Sequence, residues 1–173
     1  IRFLNSAQDI TYGHNPKYWF LLVDTYKTSN GIAALAGNDV YDLDAYSDYG
    51  HLERVRYKYS SGGVTVVYDL DFETGLEFDV SLEDLNTTGN DYAQTYKTIP
   101  PDSTSIEGYL QIFPKTLTTG VGTIYPIYYK EMGTLDTVED KTSVPLPNLL
   151  ENYAIAQIEK IKGNETKAQI YED

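Results

Sequence analysis

The chain has 173 residues, 41% of them apolar, which suffices for one domain or for a compact domain with a smaller appendage. Thirteen basic against 26 acidic side chains leave a net charge of −13, which opposes non-specific adhesion to nucleic-acid phosphates and to anionic membranes. There is no cysteine, so disulfides, thiolate catalysis and sulfur-ligated metals are excluded, and no apolar run approaches the roughly 20 residues needed to span a bilayer.

The first residue is Ile1 rather than Met, and helical patterning is already under way at Phe3 and Leu4, so the natural start is expected to lie upstream. Phe3, Leu4, Ala7 and Ile10 form a helical stripe over Ile1–Tyr12, with Gly13 and Asn15-Pro16 as its stop. Tyr18 to Val23 is apolar on all sides and reads as a buried helical turn or a core strand, Trp19 included.

After Ser29-Asn30-Gly31 the period shortens to two. Val40 to Leu43 reads as a short strand, and Leu52 to Tyr59 sets Val55, Tyr57 and Tyr59 opposite Arg54, Arg56 and Lys58. A four-residue turn at Ser60-Ser61-Gly62-Gly63 would return the chain as a strand from Val64 to Phe72, pairing Tyr59 with Val64, Tyr57 with Val66, Val55 with Tyr68 and Arg54 with Asp69. Leu76, Phe78 and Val80 continue the alternation into an antiparallel meander. Residues 83–105, rich in Asn, Thr, Gly, Asp and Pro, read as a long excursion from the sheet. Gly108–Phe113 and Gly122–Tyr129 are two further strands, the second confined by Pro126 to an edge or a bulge. The polar stretch 132–143 reads as a linker. Beyond it, Pro145-Leu146-Pro147 opens a helix with Leu149, Leu150, Tyr153, Ala154, Ile158 and Ile161 on one side and Gly163 as its cap, and Glu165 begins another.

The expected fold is therefore α+β. An antiparallel β-sheet or small barrel over 38–131, carrying the long loop 83–105, is inserted between N-terminal (1–25) and C-terminal (144–173) helices that form one module.

Catalytic signatures are mostly missing. His14 and His51 have no histidine partner at ligand spacing and read as surface residues, and no phosphate loop, nucleophile elbow or dinucleotide fingerprint is present. Asp69, Asp71, Glu73 and Asp79 alternate along a strand, yet the spacing misses a calcium loop, and a solvated face opposite Arg54 and Arg56 accounts for them. No catalytic residue, cofactor or metal is expected.

The order of the pieces carries more than any one motif. The helix with Asn5, Ala7, Gln8, Asp9 and Ile10, the patch Trp19-Phe20-Leu21, and Gly37 leading to Val40-Tyr41-Asp42-Leu43 resemble the opening of the head-to-tail connector proteins of tailed bacteriophages, also called adaptors or A-type tail tubular proteins. Ile112-Phe113-Pro114, the run Ile124 to Lys130, the acidic stretch 136–140, Pro145-Leu146-Pro147 and the helix from Leu149 to Ile161 resemble the second half of that family. The resemblance implies a non-enzymatic structural subunit of the virion neck, assembled in the host bacterial cytoplasm and copied around a ring of about twelve. Such a ring docks beneath the portal protein, extends the DNA channel and receives a downstream tail or nozzle protein, while double-stranded DNA passes without specific binding; no membrane is involved. It further implies that the C-terminal helix binds the portal, with Glu165, Ala168, Ile170 and Tyr171 as candidates. The loop with Asn86, Thr87, Asn90, Asp91 and Tyr92 is the candidate for the tail-facing side. Two rival readings stand beside it: a carbohydrate-binding or adhesion β-module, with Trp19 as a stacking platform, and a hydrolase using Asp69 and Asp71.

Overall fold

The computed structural model describes residues 2–14, 19–73, 91–137, 144 and 147–171. The chain is an α+β protein that divides into two compact units, one of Val23–Tyr129 and one of Ile1–Leu22 with Lys130–Asp173. The β unit thus begins well before residue 38, and the stretch expected to be a linker from 132 belongs, as far as it is described, to the helical unit.

Nine strands occur among the described residues: β1 (Leu22–Asp24), β2 (Ile32–Ala33), β3 (Val40–Asp42), β4 (Tyr49–Ser61), β5 (Val64–Asp69), β6 (Asp71–Phe72), β7 (Thr95–Ile99), β8 (Tyr109–Phe113) and β9 (Gly122–Lys130). They form two sheets, one ordered β1-β9-β4-β5 with β2 also on β9, the other β3-β8-β7-β6. Both contribute to a single core, in which Val55, Tyr57, Ile124 and Tyr128 of the first sheet are buried together with Tyr41, Tyr96, Leu110 and Ile112 of the second. Alternation sends every second side chain of each strand inward, so two curled sheets can close over one apolar interior.

Several expectations need correction. The β4–β5 turn holds two residues rather than four: Gly62 and Gly63 have φ of 57° and 81°, the conformation that a tight hairpin turn requires and that glycine adopts freely. The register therefore pairs Ser61 with Val64, Tyr59 with Val66, Tyr57 with Tyr68 and Arg56, not Arg54, with Asp69. The expected strand from Val64 to Phe72 changes sheets at Leu70. There the Leu70 N–H donates to Val55 O at 2.8 Å, and the Asp71 N–H donates to Gln94 O at 3.0 Å. The apolar alternation runs on through the crossing, so the sequence shows no break. As β6, the chain then pairs in parallel with β7, Asp71 with Thr95 and Phe72 with Tyr96, so the sheets are not wholly antiparallel.

β7 lies inside the supposed excursion 83–105. Its residues Thr95, Lys97 and Thr98 are polar or short, and only the buried Tyr96 betrays its inward side. Pro126 sits on β9, an interior strand rather than an edge. The carbonyl of Pro126 accepts from the buried Thr25 hydroxyl at 2.7 Å, which ties the segment after β1 to β9. Leu76, Phe78 and Val80 lie outside the described residues.

The tyrosines explain much of the β unit. Their rings are buried, or half-buried for Tyr68, while their hydroxyls reach loop groups: Tyr57 donates to Asp91 O at 3.0 Å, Tyr68 to Ala93 O at 2.7 Å, Tyr46 to Asn30 O at 2.9 Å and Tyr128 to Asp48 Oδ1 at 2.6 Å. Each ring supplies apolar area and each tip fastens a loop to the sheet beneath it. Burial pushes the Tyr46 hydroxyl up to about 12, so it stays a neutral donor at ordinary pH.

The helical unit holds α1 (Arg2–His14), α2 (Pro147–Ile161) and α3 (Glu165–Ile170); α1 and α2 contribute Ala7 and Leu150 to a small cluster with Val144, flanked by Leu4, Phe20, Met132 and Tyr153. Asn5 clamps the segment that follows β9: its amide donates to Leu135 O at 3.0 Å and its Oδ1 accepts from the Leu135 N–H at 2.9 Å. Gln8, buried beside it, donates to Gly133 O at 3.2 Å. The expected cap at Gly163 is present, with φ of 77°. The Gly163 N–H donates to Lys160 O and the Asn164 N–H to Glu159 O, closing the last turn of α2.

Candidate functional site

The β unit carries a cleft of about 580 Å³ between the start of β4, the strands β6 and β7, and the loop that follows β7. Its floor is apolar: Leu43, Tyr49 and Tyr96 are buried there, and Pro100 and Pro101 form one wall. Phe72 stands at the mouth, 60% exposed, with its ring edge-on to Tyr96 at 5.4 Å. His51, Glu53 and Glu107 supply the polar part of the lining. Burial pushes the Tyr49 hydroxyl up to about 12 and the neighbouring Glu107 carboxylate adds to it. Tyr96 is raised by burial and then by Glu53. The negative field of both carboxylates thus reaches the floor. An aromatic floor bordered by two carboxylates and an imidazole suits an apolar group that carries positive charge.

The wall owes its shape to a knot of carboxylates. Asp102 accepts from the Thr104 hydroxyl at 2.7 Å, from the Thr104 N–H at 2.7 Å, from the Ser105 N–H at 3.0 Å and from the Tyr109 hydroxyl at 3.1 Å. These donors hold Asp102 at about 2. Asp44 accepts from the Glu107 N–H at 2.7 Å and the Ile106 N–H at 3.1 Å, which lowers its pKa, while the buried Ser105 hydroxyl lies within bonding distance of Asp42, Asp44 and Gly108 O. Carboxylates that accept backbone N–H groups fix a loop in place of a strand ladder. One product is the presentation of Ile106, which is 81% exposed beside Glu107.

The residues singled out from sequence fall as follows. Glu165, Ile170 and Tyr171 are exposed on or just after α3, with Ile170 70% accessible, whereas Ala168 is buried within the helical unit and is unavailable to a partner as placed. Asn86, Thr87 and Asn90 lie outside the described residues. Asp91 and Tyr92 are fixed to the β unit, since Asp91 accepts from the Leu117 and Thr118 N–H groups at 3.1 and 2.7 Å and Tyr92 stacks on Tyr59 at 4.2 Å. Trp19, expected in the core, is 77% exposed, because the short 3-10 turn Trp19–Leu21 turns Leu21 inward instead. Asp69 is paired with Arg56 at 2.8 Å and with Arg54 at 3.8 Å, as a solvated ion-pair face. The cleft itself was not foreseen: its residues come from three separated segments, and Pro100-Pro101 is the sole local mark in the sequence.

Among the described residues no group of three or more His, Asp or Glu side chains is arranged to hold a metal ion, and no helix is long and apolar enough to cross a membrane. Compared with known proteins, the sequence matches no family model and no curated protein.

Proposed function

We propose that the chain is a structural head-to-tail connector subunit of a tailed-phage virion, working as one copy in a ring beneath the portal that extends the DNA channel and offers the tail its attachment site. The observation that carries this reading is the exposure of large apolar side chains on both units: Ile155, Ile158, Ile161 and Ile170 on the helices, and Phe72 and Ile106 beside the cleft. A closed ring needs two different, mutually complementary surfaces on every subunit, and exposed apolar side chains of this size mark surfaces that another protein covers. The net charge of −13 suits a conduit wall, because DNA passing it is repelled rather than held. No catalytic step belongs to this role. Native mass spectrometry of the purified chain, alone and mixed with portal rings, tests it: ring-sized assemblies are expected, and a strict monomer that ignores portal would refute it.

A carbohydrate-binding module is the second reading, favoured by the exposed Trp19 ring and its edge-on neighbour Phe20 at 5.8 Å. Trp19 is the chain's one tryptophan, so its fluorescence reports directly on glycan titration. A saturable shift would favour this alternative over the connector.

A further inference from the structure

We infer that Tyr59 and Tyr92 form a site of oxidative modification, at which a peroxidase using hydrogen peroxide joins the two rings through a carbon–carbon bond and locks the segment around Tyr92 to β4. The site lies wholly within the β unit and does not depend on the ring reading above.

The composition directs oxidation to tyrosine. Cysteine, whose thiolate oxidants readily attack, is absent, and the chain holds one methionine against 17 tyrosines. Among the described residues, Tyr59 and Tyr92 are the closest pair of tyrosine rings, with centroids 4.2 Å apart and planes 31° apart. The other touching pairs stand at 5.2 to 5.8 Å and are inclined by 45° or more. The Tyr59 and Tyr92 hydroxyls also share a hydrogen bond, so the two C–O ends lie together and bring the flanking Cε carbons side by side. Access favours the same pair. Tyr92 is 39% exposed and Tyr59 half-buried, whereas Tyr46, Tyr49, Tyr57 and Tyr128 are closed off in the core.

The stack is held from both sides. Asp91 O accepts from the Tyr57 hydroxyl at 3.0 Å, and Ala93 O accepts from the Tyr68 hydroxyl at 2.7 Å. Asp91 is fixed in turn by the Leu117 and Thr118 N–H groups. Rings held adjacent in this way react without the cost of finding each other. Each phenol gives one electron and its hydroxyl proton to the oxidant, leaving a phenoxyl radical whose spin is shared by the Cε carbons. The radicals combine through one Cε of each ring, and the hydrogen on each joined carbon moves to the oxygen, restoring the phenol. Two electrons and two protons leave in all, and they reduce one hydrogen peroxide to two waters. The product closes the chain between Tyr59 and Tyr92 across the sheet crossing at Leu70, which restricts the unfolded chain as a disulfide would.

The full chain is treated with a haem peroxidase and limiting hydrogen peroxide, with free tyrosine oxidised in parallel to establish that the enzyme is active. Dityrosine fluorescence and a mass lower by two hydrogens are expected in the monomer. Digestion with a glutamate-specific protease, which cuts at Glu73, Glu77 and Glu83 between the two positions, is expected to release a cross-linked peptide pair holding Tyr59 and Tyr92. Tyr59→Phe and Tyr92→Phe, which keep the rings, are each expected to lower dityrosine in the monomer at least tenfold, while Tyr26→Phe leaves it unchanged. Circular dichroism of each variant establishes that it folds. The cross-linked monomer is expected to melt above the untreated chain, and melting at or below it would overturn the locking role. A monomer without dityrosine, dityrosine formed mainly between chains, or a yield that Tyr92→Phe leaves intact would overturn the site itself.

Discussion

Asp102 shows how much of a loop can hang on one side chain. With donors from Thr104, Ser105 and Tyr109 around it, its carboxylate sits at about 2 in the folded protein against an ordinary value of 3.8. The folded pKa is depressed, so the stabilising contribution is complete above about pH 4 and is lost as pH falls toward 2. Thermal unfolding followed from pH 5 to pH 2 is expected to show a falling melting temperature. Asp102→Asn is expected to start lower at pH 5 and to decline less steeply. An unchanged slope in the variant would show that the acid sensitivity lies elsewhere. Asp44 is lowered in the same direction by the Glu107 and Ile106 N–H groups, so it steepens the same window.

At the scale of elements, the turn and the register of the β4–β5 hairpin are set by different parts of the sequence. The turn depends on Gly62 and Gly63, whose positive φ values a side chain resists although no atom stands within 4 Å of where a Cβ would lie. Gly63→Ala is expected to cost about 1 kcal/mol purely through backbone strain, and Gly63→Asn less, since asparagine tolerates the left-handed region. Chemical denaturation at fixed pH measures both. Equal losses for Ala and Asn would mean that something other than φ governs the turn. The register sets Tyr57 opposite Tyr68 and Tyr59 opposite Val66 on one face, and Arg56 opposite Asp69 at 2.8 Å on the other. A slip of one residue would turn every tyrosine outward.

On the scale of the whole molecule, the two units have separate cores. Leu110 is fully buried in the core shared by the two sheets, whereas Leu150 is buried with Ala7 and Val144 in the helical unit. Truncating either to alanine is expected to cost about 2–5 kcal/mol of local stability. Hydrogen exchange is expected to localise the damage: Leu150→Ala accelerates amides of α1 and α2 and spares β4 and β9, and Leu110→Ala does the reverse. Uniform acceleration in both variants would show that the chain unfolds as one cooperative body.

The sequence by itself determined what local periodicity and chain chemistry can encode. The terminal helices, the Gly163 cap and the strands around Val40, Val55, Ile112 and Ile124 were legible, because each is decided by residues a few positions apart, whereas the hairpin register was not, since it turns on whether the loop holds two residues or four. The tertiary structure decided what depends on partners distant in sequence. The chain moves to a second sheet at Leu70 because Val55 O accepts the Leu70 N–H on one side of the crossing and Gln94 O accepts the Asp71 N–H on the other. The polar strand β7 exists because β6 and β8 lie on either side of it. Trp19 is exposed because the turn it belongs to can bury only Leu21. The candidate cleft is the extreme case: Tyr49, Phe72, Tyr96 and Pro100 are unremarkable in their own segments, and they become a site only where two sheets close and a carboxylate knot holds the loop beside them. Periodicity reports which side chains turn inward, but a concavity belongs to the surfaces left over when separate elements meet, and no local pattern records that.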